Sequence, residues 1–85
     1  MNYKYSKEQL NQGDVVSVQL DKQANVLLLD PLNYSKFRNG KQYKYYGGLA
    51  KVSPARITVP YTGTWYIVIN LGGANGTVRY SVEIL

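Results

Sequence analysis

Thirteen consecutive residues, Tyr34-Ser35-Lys36-Phe37-Arg38-Asn39-Gly40-Lys41-Gln42-Tyr43-Lys44-Tyr45-Tyr46, interleave five aromatic side chains with four basic ones. Aromatic faces stack on bases or sugars while Lys and Arg meet phosphates or carboxylates, so this composition suits an anionic partner such as nucleic acid. It equally describes a protected strand, in which alternate tyrosines pack inward and lysines deter pairing with other chains. Tyrosine is also enriched at protein interfaces. Protein contact or self-association is the leading reading; a small ligand or carbohydrate comes next, then nucleic acid. The candidate binding residues are Tyr43, Tyr45, Tyr46, Gly47, Gly48, Lys51 and Arg56. The glycines permit close approach of a partner backbone, and the neighbouring rings and cations supply contact area and charge.

Catalysis has few parts to draw on. The chain contains no His and no Cys, which removes the usual bases and nucleophiles of neutral pH and the usual zinc, haem and copper ligands. Its five acidic residues are scattered, and Asp14, Asp21 and Asp30 sit where turns or caps are expected. The expectation is a domain with no catalysis, metal or cofactor of its own. Gly72, Gly73 and Gly76 do not form a phosphate cradle, because no Lys-Ser/Thr pair follows and the next element reads as a strand, not a helix. They read as a turn that needs positive backbone angles.

Eighty-five residues make one domain, and a chain of this size buries only about 60% of the surface its unfolded form exposes. The net charge of +5 is unevenly placed. No acidic residue lies between Asp30 and Glu83, a span with seven cations: Lys36, Arg38, Lys41, Lys44, Lys51, Arg56 and Arg79. Such a field attracts anionic partners or simply keeps a protein soluble. No apolar run approaches the ~20 residues that span a membrane. The polar opening resembles no secretory leader, so a cytoplasmic setting is expected.

The elements that must position these residues are strands. In Thr64–Leu71, Trp65, Ile67, Ile69 and Leu71 alternate with Tyr66, Val68 and Asn70, as on a pleated strand buried on one face and partly on the other. This is the expected central strand. Val15–Leu20 alternates Val16, Val18 and Leu20 with polar residues, and Asn25–Leu29 is a continuous apolar run that predicts cover on both faces. Tyr3–Tyr5 reads as a short edge strand followed by one helical turn at Ser6–Gln9. Asp30-Pro31 ends the third strand, and Leu32–Arg38 reads as a single helical turn or an irregular excursion. Lys41–Tyr46 is predicted as a strand broken by Gly47-Gly48, and Leu49–Pro54 as a loop. Ala55–Val59 and Thr77–Leu85 complete the set. Turn signals every 8–12 residues between short strands indicate a small antiparallel β-sandwich or barrel. Its expected core is Trp65, Ile67, Ile69, Val16, Val18, Val26, Leu28, Ile57, Val78, Tyr80 and Val82.

Across nearly its whole length the chain resembles a small bacterial family known as domain of unknown function eighteen-eighty-three. The resemblance is carried by Gly13-Asp14-Val15-Val16, by Leu20–Val26, by Tyr45-Tyr46-Gly47-Gly48-Leu49-Ala50-Lys51 and by Ser53-Pro54-Ala55-Arg56-Ile57. Val59-Pro60, Thr62-Gly63-Thr64-Trp65 and Leu71-Gly72-Gly73 with Gly76-Thr77-Val78-Arg79 add to it. It implies an all-β sandwich of jelly-roll type, standing alone or attached to TIR signalling domains. It implies no established activity, and so carries over no catalytic or binding residues. Tyr61 and Tyr66 stand where histidine is expected in relatives, a departure that further removes metal chemistry.

Overall fold

The computed structural model describes residues 3–72 and 76–85. The remainder of the glycine-rich connection, residues 73–75, lies outside the described residues. Among the described residues, seven strands form two antiparallel sheets: β1 (Tyr3–Leu10), β2 (Val15–Leu20), β3 (Ala24–Leu29), β4 (Tyr46–Ala50), β5 (Ala55–Thr58), β6 (Gly63–Asn70) and β7 (Tyr80–Ile84). One helix, α1 (Pro31–Arg38), separates β3 from β4. The four-stranded sheet has the order β1-β6-β3-β4 and the three-stranded sheet the order β5-β2-β7. Apart from the passage through α1, every connection between successive strands crosses from one sheet to the other. This is the jelly-roll-like habit of a double-sheet sandwich.

The core between the sheets holds Leu10, Val16, Val18, Ala24, Val26, Leu28, Val59, Trp65, Ile67 and Ile69. Trp65 is fully enclosed, and its indole N–H donates to the Tyr61 carbonyl at 3.0 Å. The expected core therefore forms, with Ile57, Val78 and Val82 packed at its margin. Tyr80 is the exception. It stands opposite Leu20 on the edge strand β7 and remains 38% exposed, because an edge strand has a neighbour on one side only.

The four-stranded sheet is covered on its second face as well. Leu27, Leu29, Tyr34 and Val68 form a second cluster beneath α1, joined by Tyr3, Phe37, Tyr43 and Tyr66. This explains the unbroken apolar run in β3: Val26 and Leu28 face the opposing sheet while Leu27 and Leu29 face the helix. Only a strand covered on both sides tolerates such a run. The helix itself is two turns long, more than the single turn the sequence predicts. Asp30 caps it by accepting from the Asn33 backbone N–H at 2.8 Å, and Pro31 occupies the first turn, where no N–H is needed.

Two local expectations are corrected. Ser6–Gln9 does not coil; it continues β1, paired residue for residue with Ile67–Thr64 of β6. A full ladder on the central strand outweighs a capping signal worth about 1 kcal/mol. The fourth strand also lies further along the chain than expected. Residues 41–45 are not strand, and β4 begins at Tyr46 and runs through Gly47-Gly48. Both glycines have positive φ, +101° and +137°, yet pairing with β3 stays one to one: Leu27 with Gly47 and Val26 with Gly48. The glycines here extend a strand that passes close to its neighbour and do not end one.

Candidate functional site

The basic-aromatic stretch divides into two populations. Tyr34, Phe37 and Tyr43 are packing residues: the Phe37 and Tyr43 rings meet edge to face at 5.2 Å, and the Tyr34 ring stacks on Tyr66 at 3.9 Å. The Tyr34 and Tyr3 hydroxyls lie 3.2 Å apart, and the Arg38 guanidinium sits 5.8 Å from the Tyr34 ring centre. Burial, then the Tyr3 hydroxyl, raises the Tyr34 phenol well above its ordinary titration range, so it stays neutral at any physiological pH. Tyr43 is thus half-buried in the aromatic layer under α1. Lys44 is tied by its backbone N–H to Asn33 Oδ1 at 2.8 Å, which fixes the approach to β4.

Tyr45 and Tyr46 remain 48% and 47% exposed. Tyr46 leans edge to face on Trp65 at 5.8 Å, and Tyr61 covers another side of the indole at 4.7 Å. The Tyr61 hydroxyl donates to Asp30 Oδ2 at 3.3 Å. Desolvation, followed by the nearby Asp30 charge, raises its pKa. An open cleft of about 460 Å3 runs between Leu28, Asp30, Asn33, Lys44, Tyr45 and Tyr46. Two tyrosines wall it, and the tryptophan, which touches Tyr46, is buried and does not line it.

The other predicted residues converge. β4 ends the four-stranded sheet and β5 ends the three-stranded one, on the same side of the sandwich. Where these edges part, a cleft of about 260 Å3 opens, lined by Gly47, Gly48, Lys51 and Arg56 among others. Its apolar lining includes Val26, Ala55 and Ile57 together with Leu49 and Val52, which are 53% and 77% exposed. A Cβ at Gly47 would collide with the Val26 carbonyl oxygen and lie 2.7 Å from Ile57 Cδ1. Glycine is required where the two sheets come together beneath the cleft.

The four sheet edges are not equivalent. β1 carries Lys4, Lys7 and Glu8, β5 carries Arg56 between Pro54 and Pro60, and β7 carries Glu83 next to its last residue. Charges and prolines of this kind discourage strand addition. β4, Tyr46-Gly47-Gly48-Leu49-Ala50, carries neither. Among the described residues, no backbone hydrogen bond outside the β3–β4 ladder falls on Tyr46–Ala50. Leu49 and Val52 were not among the candidates from sequence. Their signal in the sequence is a pair of large apolar residues on either side of Ala50-Lys51, in a stretch that reads as a loop.

The family model described as Domain of unknown function (DUF1883) matches residues 1–85, the whole chain. The chain belongs to this family. No curated protein and no solved structure matches it, so the DUF1883 assignment brings no residue roles, and the site rests on its own geometry. No group of three or more metal-ligating side chains occurs among the described residues. Among the described residues no helix is long and apolar enough to cross a membrane.

Proposed function

We propose that this DUF1883 domain is a non-catalytic docking module that binds an extended segment of a protein, either a partner or another copy, along the outer edge of β4. The observation that carries this reading is the difference among the edges: of the four edge strands described, β4 lacks charge and proline, and it carries exposed Tyr46 and Leu49, with exposed Tyr45 just before it and Val52 just after. Strand addition takes affinity from main-chain hydrogen bonds and specificity from pockets for alternate side chains. The cleft beside β4 supplies such a pocket.

Selection of displayed peptide segments against the protein tests the reading. The expected binders lose at least about tenfold in affinity, roughly 1.4 kcal/mol, when Leu49→Lys places a charge on the edge, and keep it when Lys7→Ala alters β1. Binders indifferent to Leu49→Lys, with circular dichroism showing both variants folded, would place the function elsewhere.

A further inference from the structure

Given that docking edge, we infer that its occupant is an extended acidic segment with an apolar anchor, not a second copy of this chain. The inference rests on the strand-addition reading and adds the partner's chemistry. Lys44 lies two residues before β4, Lys51 directly after it, and Arg56 on the opposite wall of the cleft. No acidic residue occurs in sequence between Asp30 and Glu83. The Asp30 carboxylate is occupied, accepting from the Asn33 N–H, the Asn33 side-chain amide and the Tyr61 hydroxyl.

Self-pairing would set like charges together. In an antiparallel pair of β4 strands centred on Gly48, Lys51 of one copy would face Tyr45 of the other, beside its Lys44. Each end of the joint strand would then bring Lys51 of one copy near Lys44 of the other, with Asp21 beside Lys51 and Asp30 beside Lys44 as the neighbouring acids, and like charges gathered at an interface oppose association. A carboxylate-bearing strand reverses the sign at both ends. The cleft selects the remaining feature. Its volume of about 260 Å3, with Val26, Ala55 and Ile57 as apolar wall, accommodates an aliphatic or aromatic side chain. Lys51 and Arg56 are then placed to meet acids flanking that anchor. Charged groups at an interface of this kind govern specificity and association rate.

The experiment uses three synthetic peptides of alternating pattern with the same isoleucine anchors, one with glutamates between them, one with lysines and one with serines. Each is titrated into isotopically labelled protein while the amide resonances are followed. The glutamate peptide is expected to shift the amides of Tyr46–Ala50 saturably. Its binding should weaken at least tenfold as salt rises from about 0.05 to about 0.5 M, and by a similar factor in the K44E/K51E/R56E variant. The serine peptide should bind more weakly and the lysine peptide least. If serine and lysine peptides shift β4 as strongly, or if β4 amides shift with protein concentration alone and sedimentation shows a dimer, the acidic partner is refuted while the docking edge stands. If no peptide and no self-association perturbs β4, both fall.

Discussion

Gly47 passes so close to Val26 that a single methyl group on its α-carbon would overlap the Val26 carbonyl oxygen. Gly48, the next residue, meets nothing nearer than the Tyr45 ring at 3.9 Å. Both hold positive φ beyond the left-handed helical region, which costs a side-chain-bearing residue roughly 1–3 kcal/mol. Gly47→Ala should therefore lose that strain energy plus the cost of forcing β3 and β5 apart, and Gly48→Ala the strain alone. Urea denaturation of the two variants checks this. Equal losses would mean that the contact at Gly47 relaxes without penalty.

The helix is held to the sheet by rings. Tyr34 and Tyr66 stack 3.9 Å apart and 4° from parallel, with Tyr34 itself only 6% exposed. Tyr34→Ala should destabilise the fold by about 3–5 kcal/mol, as truncations of buried aromatics do. A double-mutant cycle with Tyr66→Ala should return a coupling of about 0.5–1.5 kcal/mol. A coupling of zero would show that Tyr34 acts through burial alone.

Alkaline pH should unfold the protein through the same residue. Burial raises the phenol pKa of Tyr34, and desolvation with the Asp30 charge raises that of Tyr61, both from an ordinary 10.0. The folded state therefore retains protons that the unfolded state gives up. This contribution is fully present below pH 10 and is lost as pH rises above it. Denaturation midpoints should stay level from about pH 7 to about pH 9.5 and fall beyond pH 10. In Tyr34→Phe the fall should be shallower. An identical profile in that variant would exclude Tyr34 as a source.

Asp30 performs two tasks, capping α1 and accepting from Tyr61. Asp30→Ala should cost about 1–2 kcal/mol for the cap and release Tyr61 from its place beside Trp65. Near-ultraviolet circular dichroism and tryptophan fluorescence report that second change. A variant equally destabilised but spectroscopically unaltered would separate the cap from the Trp65 environment.

Much of this architecture is legible in the chain. The alternation in Thr64–Leu71 and Val15–Leu20 identifies the strands and their inner faces, since a period of two has one buried solution. The apolar run at Asn25–Leu29 predicts a strand covered twice, and α1 with its aromatic layer is that second cover. Local signals mislead where tertiary contact overrules them. Ser6–Gln9 resembles a capped turn until β6 offers it a complete ladder. Gly47-Gly48 resembles a break until the nearness of Val26 and Ile57 makes glycine the residue that lets the strand continue.

The candidate site shows the same division. Composition alone determined that the region after Asp30 is cationic and aromatic, and that the chain lacks the histidine and cysteine of ordinary catalytic and metal chemistry. Which tyrosines are structural and which face outward was decided only by the helix, which presses its own Tyr34 and Phe37 onto the sheet beside Tyr43 and leaves Tyr45 and Tyr46 uncovered. Lys51 and Arg56 came to border one cleft through the placement of β4 and β5 on neighbouring sheet edges. Periodicity specifies which face of a strand is buried, because neighbouring side chains along one segment decide it. Edge position depends on how distant segments pair, and no local pattern encodes it.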